Sequence, residues 1–259
     1  MISAGGVRFV YDEPAAEVVL DGRRTLVLGD LHIGTERKFI SRGIRLYTAS
    51  EAMGARVVSI AERMGARAII ILGDVKESVL HPEAAEAGEV RRFFRGLEGY
   101  DVTVTAGNHD ARLGEIVGAK IVDEVVSGRF SFMHGHRWPS EEAMQAGTIF
   151  VGHNHAAVSM TDSNGARYAQ KAWLVAGIDS KEAQARYAKP NPKARLVVMP
   201  AFNDLIVGMP VNEVKGDNLS PLFRNGVFDY WGAKVYSMRG ELLGTAEGLA
   251  KRYGGSSAT

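Results

Sequence analysis

Six of the chain's seven histidines fall in four short clusters, and each cluster closes a run of residues that reads as a β-strand. The clusters are GDLHIG with His32, GNHD with His109, MHGH with His134 and His136, and GHNH with His153 and His155. The runs before them, RTLVL, DVTVTA, GRFSF and GTIFV, are alternating or apolar and rich in β-branched and aromatic residues. Another run, ARAIIIL, stops in the same way at Gly73-Asp74 without a histidine. This repeated plan constrains the fold: several strands must deliver their carboxyl ends to one crevice, as loops over an α/β sheet do.

The intervening segments support that layout. AEVVL and RTLVLGDLH read as two strands joined by the turn residues Asp21-Gly22. From Ser50 to Met64 the apolar residues Met53, Val57, Ile60 and Met64 recur at three and four positions, which predicts a helix with one buried face. PEAAEAGEVRRFFRGL predicts a second helix, entered at Pro82 and closing on basic residues that suit its dipole. Strand and helix thus alternate up to about residue 110, the pattern of parallel pairing. Beyond residue 147 the chain is strand-rich, with RYAQKAWLVAG, ARLVVMP, LIVGM and AKVYSM and no long helical pattern. AKPNPKA reads as a loop. No internal repeat or linker divides the chain, so residues 1–253 are expected to form a single domain on two packed sheets, with 254–259 (GGSSAT) as a frayed tail.

Composition excludes several classes. A net charge of +1 gives no global reason to bind long nucleic acid or membranes. The absence of cysteine excludes disulfides, thiolate metal sites and cysteine nucleophiles, and fits a reducing cytoplasm. The first 25 residues carry Asp12, Glu13 and Glu17 and do not read as a signal peptide. ARAIIIL is too short to cross a bilayer, so a soluble, cytoplasmic protein is expected.

The strand ends bring together Asp30, His32, Asp74, Asn108, His109, Asp110, His134, His136, His153 and His155. This oxygen-and-nitrogen set has too many members for one tetrahedral zinc and suits two adjacent divalent ions of manganese, iron, cobalt, nickel or zinc. In a strand, residues i and i+2 share a face, so Asp30 and His32 are expected to face one ion together, as are His153 and His155. The carboxylate of Asp74 can bridge two cations. The remaining histidine, His81, precedes a proline outside the clusters and reads as structural or exposed. Neither GxSxG nor GxxxxGK occurs.

GDLHIG, the GD at 73–74, GNHD, HGH and GHNH stand in the order of the five motifs of the calcineurin-like metallophosphoesterase superfamily, which the chain resembles over about residues 26–155. VLGDLHIGTE, ILGDVKES and HGHRW are similar to its branch of archaeal and DNA-ligase-associated phosphoesterases, as are, more loosely, VVMPAFNDLIVGMPVN and AKVYSMRGELLG. The resemblance implies a four-layer αββα sandwich of two mixed sheets flanked by helices, with a metal site at the strand C-terminal ends. It implies a first ion, Mn²⁺ before other metals, on Asp30, His32, Asp74 and His155. A second would sit on Asp74, Asn108, His134 and His153. His109 would lie over the substrate phosphate with Asp110 orienting its ring, and His136 would stand behind the ligands or face the substrate.

The same resemblance implies hydrolysis of phosphate esters, with phosphodiesters of nucleotides or nucleic-acid ends as substrates. A phosphomonoesterase is the alternative among enzymes, and a metal-free binding scaffold the alternative from another class. Phosphoprotein phosphatases of the superfamily carry GDxxDRG where this chain has GDVKESV, which argues against that activity. ERKFISRGIR supplies Arg37, Lys38, Arg42 and Arg45, a basic rim that could grip phosphates or equally a solvated segment. LVVMPAF and GVFDYWGAKVY offer apolar surface for a homodimer, or ordinary core.

Overall fold

Asp21 and Gly22 take φ of 47° and 78°, the two positive values that a tight hairpin turn demands. They join β3 (Ala16–Leu20) to β4 (Arg23–Leu28), the antiparallel pair expected from sequence. The computed structural model describes residues 3–4, 6–40, 43, 50–213 and 220–253. Arg42, Arg45 and the expected tail at 254–259 lie outside the described residues.

From β4 the first sheet grows by parallel pairing to β5 (Ala68–Ile71), β6 (Asp101–Thr105) and β7 (Lys120–Val122). On its other side lie β2 (Val7–Phe9) and β1 (Ser3–Ala4). α1 (Glu36–Ile40) and α2 (Ser50–Met64) lie between β4 and β5, and α3 (Ala84–Gly96) between β5 and β6. The second sheet contains β8 (Glu124–Ser127), β9 (Phe130–Met133), β10 (Thr148–Val151), β11 (Ala156–Thr161), β12 (Arg167–Gly177), β13 (Arg195–Val198) and β14 (Met209–Pro210). Its order is β14-β11-β12-β13-β10-β9-β8, with β9, β10 and β13 mutually parallel. β15 (Lys234–Ser237) pairs with β12 and carries β16 (Leu242–Thr245). α4 (Ser180–Arg186), α5 (Pro221–Arg224) and α6 (Ala246–Tyr253) complete the chain.

The pleat sorts the strand residues into layers. Val27, Ile70 and Leu72 face the other sheet and pack with Phe132, Phe150, Trp173 and Val197. Their neighbours Leu26, Leu28, Ile69 and Ile71 face outward onto Met53, Val57 and Ile60 of α2 and Val90 and Phe93 of α3. On the far side, Ile149, Val151, Leu196 and Val198 pack with Ala183, Leu222 and Leu249 from α4, α5 and α6. The layers are therefore helix, sheet, sheet, helix. Among the described residues, no helix is long and apolar enough to cross a membrane.

Two expectations on local structure need correction. In LIVGM only Met209 enters a strand; Leu205 donates its N–H to Asn203 Oδ1, a side-chain bond that replaces ladder pairing. The helix expected from Pro82 begins at Ala84, after an extended Glu83. The apolar residues of LVVMPAF and GVFDYWGAKVY are core, apart from Tyr236, which is partly buried, and Trp231, which is 47% exposed.

Candidate metal centre

β4 ends at Leu28 and β10 at Val151, so Asp30, His32, His153 and His155 stand beyond their strands. The pleat does not align them, contrary to the sequence expectation. Instead Asp30, His32, Asp74, His153 and His155 all take left-handed φ, at 56°, 41°, 48°, 64° and 43°. Such backbone costs non-glycine residues about 1–3 kcal/mol each and persists only where surrounding contacts impose it. Those contacts are present. The Asp30 and His32 N–H groups donate to the carbonyls of Gly73 (3.1 Å) and Asp74 (2.8 Å), extending the parallel ladder past both strands. The His153 N–H donates to Asp30 Oδ1 at 3.1 Å, and the His109 N–H to Asp74 Oδ1 at 2.9 Å.

The side chains form two groups that share one carboxylate. In the first, donor atoms of Asp30, His32, Asp74 and His155 all lie within 4.8 Å of one another. His32 Nε2 is 3.2 Å from His155 Nε2, and His155 Nε2 is 3.3 Å from Asp30 Oδ1. The second group joins Asp74, His134 and His153. His134 Nε2 is 3.3 Å from Asp74 Oδ2, 3.1 Å from His153 Nδ1 and 3.1 Å from Asn108 Oδ1. Asp30, Asp74 and His134 are buried.

These donors fit divalent cations. His134 Nδ1–H donates to the Leu72 carbonyl at 2.8 Å, which leaves the Nε2 lone pair of the neutral ring facing a carboxylate oxygen and an amide oxygen. Neither neighbour can donate, so a proton or a cation must lie between them. Asp30 Oδ2 is buried without a hydrogen-bond donor. Separations of 3.1–3.5 Å match the edges around an ion with ligands at about 2.1 Å. Space is reserved by glycine: a Cβ on Gly152 would lie 2.6 Å from Asp30 Oδ2, and one on Gly107 2.2 Å from Asp74 Oδ1.

Charge is correspondingly concentrated. Burial pulls His134 down, but the carboxylates of Asp74 and Asp30 outweigh it and raise the ring to about 9. Burial pushes Asp74 up, and His134, the His109 N–H and His32 more than reverse that, holding it below the usual carboxylate range. Burial, then repulsion from His134, lowers His136 and His153 to about 4.

No protein-family model matches the sequence, and no curated protein matches it either. Among solved structures, nuclease MPE of Pseudomonas putida matches with a TM-score of 0.55 at 16% identity, covering 88% of this chain and 100% of that one. The two share a fold. Yfce, a phosphoesterase from E. coli, matches at 15% identity over 85% of this chain and 96% of that one, with a TM-score of 0.38.

Within that fold the remaining expected residues take varied places. His109 borders the first group, its ring centroid 4.9 Å from that of His32. Its ring is oriented not by Asp110 but by the Glu77 carbonyl, to which Nδ1–H donates at 2.6 Å. Asp110 instead accepts the N–H groups of Val75 and Gly107, both at 2.8 Å, and so ties the Asp74 loop to the Asn108 loop. His136 flanks the second group, its ring centroid 5.2 Å from that of His134. Of the expected basic rim, Arg37 is paired with Glu83 and Lys38 with Glu77, while Arg42 and Arg45 lie outside the described residues.

From sequence Glu77 figures only in the departure from GDxxDRG and is given no role at the site, although a carboxylate three residues past Asp74 is a usable signal. Its Oε2 is 3.1 Å from His32 Nδ1, close enough for a charge contact though not a well-formed hydrogen bond, and this turns His32 Nε2 toward the metal group. Burial raises Glu77, but its contact with His32 and its bonds from Lys38 and Thr35 bring it down to about 2. Asn203, buried, reaches back to the Leu31 carbonyl at 2.8 Å and fixes the His32 loop from the far end of the chain. Lys76 is wholly buried, with Nζ donating to the Ser78 and Val79 carbonyls.

Proposed function

We propose that the chain is a metal-dependent phosphoesterase that hydrolyses phosphodiester bonds in nucleotides or at nucleic-acid ends. The observation that carries this reading is the membership of Asp74 in both donor groups, an arrangement suited to two divalent ions. Asp30, His32, Asp74 and His155 would hold one ion; Asp74, Asn108, His134 and His153 would hold the other. Manganese is the first candidate, on a donor set of nitrogen and oxygen without sulfur. The motif order resembles the archaeal and DNA-ligase-associated branch, and the fold is shared with a protein named as a nuclease; both favour a diester substrate. A chain without cysteine agrees with work in the cytoplasm.

Divalent ions, if held by these donors, would supply Lewis-acid polarisation of a phosphoryl oxygen and hydroxide near neutral pH. The protein's own residues supply the rest. Asp74 Oδ1 is anchored by the His109 N–H at 2.9 Å, while Oδ2 lies 3.5 Å from His32 Nε2 and 3.3 Å from His134 Nε2. Because His109 Nδ1–H is engaged by the Glu77 carbonyl, Nε2 is its proton-exchanging atom. Protonated there, His109 would give its proton to the departing alkoxide, a contribution of about 10²–10⁴ in rate. Lys76, buried under the loop, does not take the phosphate-gripping place of the arginine in GDxxDRG. Assay of aryl, nucleotide and oligonucleotide esters with added Mn²⁺ tests the reading; no hydrolysis of any diester would overturn it.

A further inference from the structure

At the opposite end of the sandwich the two sheets part around a cavity of about 610 Å³. Its rim includes Thr148 at the start of β10 and Arg195 at the start of β13, whereas the metal centre follows the ends of β9 and β10. Strand β10 alone puts about 10 Å between the two places, from Thr148 to Val151 at about 3.3 Å per residue.

The floor is apolar and the rim is cationic. Val197 and Phe150 belong to the layer between the sheets, so Arg195 and Thr148, two residues earlier on their strands, share that inward face. Lys234 stands in the same relation to Tyr236. In register, Arg195 lies opposite Gly177, and Lys234 opposite Val175 on the other edge of β12. Two cations therefore flank the end of one strand, where Gly177 leaves room between them. Arg129 and Lys193 join them on the rim. Val7 and Phe9 of β2 close the opposite wall.

None of these four cations has a carboxylate partner among the described residues, and no acidic residue lines the cavity. Elsewhere the chain pairs its arginines, as Arg23 with Asp101, Arg56 with Glu13 and Asp204, and Arg137 with Asp123. Four unpaired cations are a large local excess in a protein of net charge +1. A volume of about 610 Å³ falls among small-molecule pockets, which span roughly 300–1,000 Å³.

We propose that this cavity is a second ligand site, separate from the metal centre, that takes a nucleoside diphosphate. The base and sugar lie against Tyr236, Val175 and Val197, and the phosphates lie among Arg195, Lys234, Lys193 and Arg129. The inference does not rest on the proposed hydrolysis.

The test is calorimetric titration of the full chain with α,β-methylene ADP, a form stable to hydrolysis, alongside adenosine and inorganic phosphate. The diphosphate is expected to bind the Asp74→Asn protein as it binds wild type, because Asp74 is at the other end. Arg195→Ala/Lys234→Ala should weaken it about 100-fold, as loss of two charge-assisted contacts implies. Adenosine and phosphate should each bind at least about tenfold more weakly than the diphosphate. The double variant should keep the wild-type melting temperature and the wild-type metal content. The proposal is overturned if the diphosphate fails to bind at about 1 mM, if the double variant binds it like wild type, if Asp74→Asn abolishes binding, or if adenosine binds equally well.

Discussion

His134 Nε2 stands 3.3 Å from Asp74 Oδ2 while its Nδ1–H is held at 2.8 Å by the Leu72 carbonyl. Leu72 immediately follows β5 in the first sheet, and His134 immediately follows β9 in the second. The packing of one sheet on the other thus turns the ring so that Nε2 faces the shared carboxylate. The orientation of this candidate ligand ring is therefore a property of the sandwich itself.

His109→Gln separates proton transfer from metal binding. The glutamine keeps the main-chain N–H that holds Asp74 Oδ1 at 2.9 Å, so both metals should remain. Turnover on an aryl phosphodiester should fall by about 10²–10⁴. Loss of metal on elemental analysis would instead make His109 a ligand.

Glu77→Gln tests the orientation of His32. The main-chain carbonyl that holds His109 survives, but the charge that turns His32 is removed. Metal affinity should drop by about 10–100-fold, as for other residues that orient ligands. Glu83→Gln, which alters only the partner of Arg37, should leave metal titrations unchanged. Equal affinities in Glu77→Gln and wild type would show that His32 needs no such support.

Gly152→Ala places a methyl carbon 2.6 Å from Asp30 Oδ2, a contact that must displace the carboxylate or the loop. Bound metal should fall while circular dichroism keeps the native spectrum. Gly96→Ala, at a position with open space around a Cβ, is the control and should retain the metal. Full metal occupancy in Gly152→Ala would mean that Asp30 is not a ligand.

Local patterns in the sequence carried much of the fold and less of the centre. The helix Ser50–Met64 and the long strand Arg167–Gly177 match their expected bounds because apolar spacing and β-rich composition are written locally. LIVGM misleads because a side chain, Asn203, satisfies an N–H that composition assigns to a ladder. The gathering of Asp30, His32, Asp74, His134, His153 and His155 was legible as motifs at strand ends, but the means was not. A strand reading put Asp30 and His32 on a pleat, whereas left-handed backbone held by neighbouring carbonyls aligns them. Arg37 and Lys38 looked available because their carboxylate partners lie 46 and 39 residues away, beyond the reach of a local pattern. Asp110 adjoins His109 in sequence yet faces Val75 and Gly107, which only the folded loops reveal.

The shared carboxylate is the centre of the account, and one titration tests it most directly. Wild type and Asp74→Asn are stripped with EDTA, Mn²⁺ is returned in steps, and bound metal and hydrolysis of bis(p-nitrophenyl) phosphate are read on the same samples. Wild type should recover activity only as a second ion per chain binds. Asp74→Asn should hold fewer ions at every step and recover no activity, since an amide oxygen bridges two cations poorly. Two tightly held ions in Asp74→Asn, or full activity in stripped wild type, would contradict a two-metal phosphoesterase built around Asp74.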